Sequence, residues 1–446
     1  MAEKKWFTFV SRYGAGALIF AGGAFLSHAG AHVFSMILFF LLAILEAAVV
    51  YSETKSVVDL RLLLSLGWPG GIGLSVLKLT EWGQPFSIAS WISFGAFYFG
   101  FLLAYDLVAF LMKRRKSEVS SKSVSESRTR TFLSIFIVAG LSLVGLLLEA
   151  IRFDFVFPIF AVDTPHAYTE FHLSGVHYFV VSAATVSGMS VYFCLKHGPT
   201  KKEIAILSAV NALSVLVPVL LLSKLHLAMF FVFPVIVFLL LQRRWKPGRV
   251  LAVLIGIVVG VAALFVVMVF LRQYPEGYLQ EIFRFKDQRV PVGLQYPYVY
   301  VTNNFENFNL LTLSGDPLAL GRRQFYFVIC LTGLKFYPPV NMEFAIPSHV
   351  TVTELNTLTI LYDAYADFGI TGTAVFGILS GAFGAFLTDR VRRAPRISGV
   401  MIYMELAVYF ALSFFTTWLS HPTTWFWFAA AFAVGLFTKK KGEPLW

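Results

Sequence analysis

The side chains of this chain best suited to chemistry lie in residues 271–369, between two long apolar stretches. That segment holds Arg272, Arg284, Lys286, Arg289, Arg322, Arg323 and Lys335, and a polar turn at Lys224 and His226 adds two further cationic groups. A guanidinium presents a planar fork of donors that matches phosphate oxygens bidentately. The same segment carries Asp287, Glu306, Asp316, Glu343, Glu354, Asp363, Asp367 and His349. Transfer of a sugar from a diphosphate to a hydroxyl needs both kinds of group, a base for the hydroxyl proton and cations for the departing diphosphate. Arg322 and Arg323 follow the turn Ser314-Gly315-Asp316-Pro317 and immediately precede an apolar stretch, which would hold them at a membrane edge. Lys224 sits at a tight turn between two apolar runs, where an ionisable residue is a functional candidate by default. With Arg272, Arg284 and Arg289 these are the candidate anion ligands, and His349, Glu343, Asp363 and Asp367 are the candidate bases. Asp363 and Asp367 are four apart and share a face of any helix that carries both. Asp367 suits a helix cap equally well, and Gly369 and Gly372 suit a turn into the following apolar run.

The elements that must position these residues are membrane helices. Of 446 residues, 57% are hydrophobic and 14% charged, where soluble domains carry roughly 25% charged residues. The mean hydropathy is +0.73. Apolar runs of about 18 to 22 residues recur, each able to cross about 30 Å of hydrocarbon. They fall near 10–27, 31–51, 60–79, 90–112, 131–149, 173–195, 203–222, 226–242, 250–270, 370–388, 398–416 and 420–437, the third broken by Gly67-Trp68-Pro69-Gly70-Gly71. Lipid excludes open sheet edges, and the runs are too long for barrel strands, so the spans should be helices. The expected fold is an all-α, polytopic membrane helix bundle of about 12 transmembrane helices with a large external loop.

Charge orients the bundle. Lys and Arg cluster at 4–12, 55–61, 113–130, 196–202, 243–249, 390–396 and 439–441, on every second connection, and the intervening short loops have almost none. By the positive-inside rule both termini are cytoplasmic and 271–369 is external. The net charge of +11 is then a topology signal, and its scatter along membrane edges excludes a nucleic-acid surface. The organisation that follows is helices one to four over 1–112, a cytoplasmic Ser/Lys/Arg-rich linker over 113–130, and helices five to nine over 131–270. The large external loop covers 271–369, and helices ten to twelve with a cytoplasmic tail cover 370–446. Within the loop, 273–288 suits a short amphipathic helix, 289–300 an extended or turned segment rich in Pro and Tyr, and 325–334 a dip into the interface. Leu355, Leu358, Leu361 and Tyr365 predict a helix over 354–365.

Several functions find no support. The first apolar run lacks a small-residue cleavage site, so no cleavable signal peptide is expected. Cys194 and Cys330 fall on opposite predicted sides, which gives no disulfide. No P-loop or dinucleotide fingerprint is present, and His28 and His32 lack a third metal ligand. No repeat relates the halves of the chain, as many transporters would show. A smaller external loop over 150–172 holds Arg152, Asp154, Asp163, His166, Tyr168, Glu170 and His172, groups that suit a sugar site or solvent equally.

Three stretches resemble oligosaccharide repeat-unit polymerases, the Wzy-type O-antigen polymerases: Asn303-Asn304-Phe305-Glu306-Asn307-Phe308, Gly321-Arg322-Arg323-Gln324-Phe325-Tyr326-Phe327, and 357–372, which ends Tyr365-Ala366-Asp367-Phe368-Gly369-Ile370-Thr371-Gly372. Arg322, eleven positions before Gly333, resembles that family's Arg-x10-Gly loop pattern. The resemblance implies a GT-C-like membrane glycosyltransferase of the plasma (inner) membrane that needs no metal or other cofactor. It would join polyprenyl-pyrophosphate-linked oligosaccharide repeat units at the periplasmic or exterior face, with membrane lipids and a chain-length regulator as further partners. A glycan ligase, or a flippase or other transporter of lipid-linked oligosaccharide, are the alternatives. The related ligases place a histidine near the acceptor, and His349 is the only histidine of the large loop.

Overall fold

The computed structural model of the chain describes residues 2–114, 126–161, 168, 170–242, 248, 252, 256, 260, 277–344, 346 and 348–440. The expected span at 250–270, most of the 113–130 linker and Arg272 therefore lie outside the described residues. The described residues form helices and turns joined by loops, with two isolated β-bridges and no strands. In chain order the helices are α1 (Ala2–His28), α2 (His32–Thr54), α3 (Leu60–Ser75), α4 (Ile88–Arg114), α5 (Arg128–Arg152), α6 (His177–Val181), α7 (Ala183–His197), α8 (Lys201–Leu220) and α9 (Lys224–Leu241). They continue as α10 (Tyr278–Phe283), α11 (Val292–Ser314), α12 (Tyr326–Leu331), α13 (Pro338–Phe344), α14 (Tyr362–Arg393), α15 (Ile397–Ala411) and α16 (Pro422–Thr438).

Local chemistry starts several of them. The Asp59 side chain accepts from the Arg61 N–H to cap α3, and Thr200 and Glu203 form a reciprocal capping box at α8. Among the described residues, seven helices are long and apolar enough to cross a membrane: α2, α4, α5, the continuous α6–α7, α8, α9 and α14. α15 and α16 are apolar but shorter, at 15 and 17 residues. The chain thus has the build of a multi-pass helical membrane protein. α15 is buried along almost its whole length and packs against α3, α7, α9, α14 and α16. α14 lies along α4, where a Cβ at Gly377 or Gly381 would meet the Phe97 or Phe101 carbonyl oxygen at 2.5 or 2.2 Å. Backbone contact that close is open only to glycine, a recurrent device in membrane bundles.

The helices run back and forth between two ends. One end gathers Arg12, Glu46, Glu53, Asp59, Arg61, Asp106 and Arg392 into a single ion-pair network. Here too Arg128 pairs with Glu203, and Glu126 receives the Tyr192 hydroxyl and the Ile397 N–H. The other end holds the segment 277–361, the 76–87 loop and the starts of α6, α9, α14 and α16. From Asp363 to Arg392 is roughly 40 Å of helix at 1.5 Å per residue.

Two expectations about the large loop are corrected. Residues 289–300 are not extended, because α11 starts at Val292, with Pro291 at its N-cap and Pro297 inside it. The helix expected over 354–365 begins only at Tyr362. Its first part is held open by side chains of α11, since Asn303 and Asn307 donate to the Leu355 carbonyl and Asn307 donates also to that of Thr357. The short amphipathic helix expected within 273–288 is Tyr278–Phe283, with Phe285 beyond it in a bridge to Thr80.

Candidate functional site at the loop end

α11 is the keel of this end. Phe305 packs on Trp68 and Phe94 at 5.2 and 5.5 Å, which seats the helix on α3 and α4. Its asparagines face loops instead of solvent. Asn309 accepts from the Ser87 N–H at 2.8 Å and the Ser90 hydroxyl at 2.9 Å, and donates to the Pro85 carbonyl at 3.1 Å. Glu306 forms a buried ion pair with Lys78 and accepts from the Gln84 N–H. Burial lowers the Lys78 pKa and raises that of Glu306, and the mutual attraction of the pair opposes both shifts. The Asn303–Phe308 stretch therefore ties loops to the bundle.

The cations separate into two kinds. Arg323 is engaged: Nε donates to Asp363 at 2.7 Å, and the terminal nitrogens donate to the Ile346 carbonyl and Ser348 hydroxyl, each at 2.8 Å. Asp367 accepts the backbone N–H groups of Arg323 and Gln324 at 3.1 and 2.6 Å. Asp363 and Asp367, both named as candidate bases, share the first turns of α14, and both hold the 319–324 segment in place. The chain then leaves this clamp through Gly369 (φ 62°, ψ −150°), a kink that side-chain-bearing residues rarely adopt. Arg322 differs. Among the described residues its guanidinium donates only to the carbonyls of Ala319 (3.0 Å) and Glu343 (3.4 Å). It lines an open depression of about 430 Å³ with Leu320, Phe325, Glu343 and Phe344.

The remaining expected residues are dispersed. Lys224 is buried and bonds the Tyr296 hydroxyl, with its ammonium 4.8 and 5.5 Å from the ring centres of Tyr296 and Tyr300. Arg289 is exposed and paired with Asp287, whose carboxyl it holds below the usual range. Arg284 is exposed and has left-handed backbone (φ 42°), and its carbonyl accepts from the Glu81 N–H. His349 Nε2 meets Asp316 at 2.5 Å, and its backbone N–H donates to the Tyr362 hydroxyl. The structure thus joins Arg322 with Glu343, and Arg323 with Asp363, Asp367 and the His349 segment. Arg284 and Arg289 stand apart on the α10–α11 connection.

A second group at this end joins His172 and His226 to Glu149, His177 and His421, three residues that sequence reasoning missed. Glu149, in the last turn of α5, meets His177 Nδ1 at 3.0 Å and accepts from the Leu173 N–H. His172 stacks near it at 4.9 Å, and burial together with His177 lowers the His172 pKa. His226 Nδ1 bonds the Ser223 hydroxyl at 2.7 Å, and His177 and His421 lie close enough to act on His226 through their charges. The available signal was an acid inside an apolar run. Glu46, Asp106 and Glu149 all carry it, and so does Glu405, whose buried carboxyl has no hydrogen-bond partner among the described residues. Compared with known protein families, with curated proteins and with solved structures, the chain matches none.

Proposed function

We propose that the chain is a membrane glycosyltransferase that joins polyprenyl-diphosphate-linked oligosaccharide repeat units into a polysaccharide. In this reading it has twelve spans in the plasma (inner) membrane, cytoplasmic termini, and its loop end at the periplasmic or exterior face. The observation that carries it is Arg322, a guanidinium at an open depression with only carbonyl partners among the described residues. Arginine neutralised by carboxylate has little left to offer an anion, whereas one resting on carbonyls keeps its full charge. Leu320 and Phe325 beside it remain 72% and 52% exposed, which suits a diphosphate that carries a hydrocarbon chain.

The chemistry follows from charge. An acceptor hydroxyl attacks the anomeric carbon of the donor sugar, the C1–O bond to diphosphate breaks, and the oxygen leaves with the electron pair. The negative charge that develops there is stabilised by Arg322. One donor placed at such a developing charge is worth about 10²–10³ in rate.

Purified full-length protein in lipid vesicles, given a single lipid-diphosphate-linked repeat unit, is the test. A ladder of longer products is expected. Transfer only to a separate acceptor would make the protein a ligase. Movement of the lipid across the vesicle without new glycosidic bonds would make it a transporter and overturn the reading.

A further inference from the structure

Resting on the glycosyl-transfer reading, we propose that His177, oriented by Glu149, is the group that takes the acceptor hydroxyl's proton. Glu149 is wholly buried, and its carboxylate lies 3.0 and 3.3 Å from His177 Nδ1. A carboxylate can only accept, so Nδ1 carries the ring proton and Nε2 keeps its lone pair. Among the described residues Nε2 has no hydrogen-bond partner, and the His177 side chain retains 11% of its exposure. This is an imidazole with one nitrogen fixed and the other open, the arrangement a general base requires.

Its place in the fold joins it to the anion site without crowding it. Tyr178, the next residue, stacks on Phe426 of α16 at 5.5 Å, and the adjoining Trp425 stacks at 4.4 Å on Phe327 of α12, the helix that directly follows Arg322-Arg323. Lys335, just beyond α12, donates to Ser174 at 2.9 Å. Glu343, by contrast, shares the Arg322 depression and would compete there with the diphosphate for the same cation. The base belongs on the acceptor side of the anomeric carbon, away from the leaving group.

The step balances. The acceptor oxygen forms the new C1–O bond and gives its proton to His177 Nε2, the old C1–O bond breaks, and the diphosphate departs with the electron pair. The groups in contact with His177 are Glu149 of α5 and the rings of Tyr168 and His172 in the preceding loop.

Chain extension, thermal unfolding and binding of a sugar-free polyprenyl diphosphate are measured on the full-length protein. His177→Gln should lower extension by about 10²–10⁴-fold and leave unfolding and lipid binding at native values. Glu149, a positioning residue, should give a similar loss as Glu149→Gln, because an amide can donate to Nδ1 and force the ring proton onto Nε2. The loss in Glu149→Gln should fall on kcat, with the KM for the repeat unit unchanged. Free imidazole should partly restore His177→Gly, which a merely structural histidine would not allow. Native extension rates in His177→Gln would overturn the dyad and leave the transferase reading standing. Failure of the native protein to make any glycosidic bond would overturn both. Should His177→Gln lose the fold, Glu149→Gln keeps the shape, and a native rate in that variant overturns the proposal equally.

Discussion

The two ends of the bundle use arginine in opposite ways. At the network end, Arg12 meets Glu46, Glu53 and Asp106, Arg61 meets Asp59, Glu53 and Asp106, and Arg392 meets Asp59. These arginines clamp α1, α2, α3, α4 and α14 together, and their charges are answered within the protein. At the loop end the neighbours Arg322 and Arg323 divide the two roles between them. Arg323 is a clamp of the same kind, paired with Asp363, while Arg322 rests on carbonyls at an open depression. Residue type and position in sequence are nearly identical for this pair, so the partner decides whether an arginine is structural or free to receive an anion.

The difference can be tested from the strongest clamp downward. Arg61→Ala leaves buried Asp59 with Arg392 alone and Asp106 with Arg12 alone, and unfolding in detergent should show a loss of about 3 kcal/mol, the lower end of the range for breaking a buried pair. A change near zero would mean the network is not a clamp. Arg323→Ala removes hydrogen bonds to Asp363, Ile346 and Ser348 and should cost about 1.5–3 kcal/mol, the range for bonds to a charged group, by the same measurement. Arg289→Ala, on an exposed pair with Asp287, should change neither unfolding nor chain extension, since surface ion pairs contribute little. A loss of extension in that variant would place the anion site on the α10–α11 connection and reverse the contrast.

Much of this division lay beyond sequence reasoning, for identifiable reasons. The helical class, the apolar runs and the gathering of basic residues at one end follow from hydropathy and charge, which are local. α11 did not follow, because Pro291 and Pro297 read as breakers although one stands at the N-cap and the other is an exposed position of a helix that Phe305 seats on α3 and α4. Nor did the 351–361 segment, whose apolar spacing mimics a helix while asparagines from α11 hold its carbonyls. Glu149 sits at the end of an apolar run, where a carboxyl is costly and marks a partner, yet that partner, His177, is 28 residues away and becomes visible only once α5 and α6 are packed.

The central claim is that Arg322, and not its paired neighbours, is the anion-receiving arginine. The most direct measurement is chain extension from a single lipid-diphosphate-linked repeat unit by native protein and by Arg322→Ala, with thermal unfolding followed in parallel. The account predicts that the product ladder vanishes, a loss of about 10²–10³-fold, while the unfolding midpoint stays at the native value. An undiminished ladder from Arg322→Ala would contradict it.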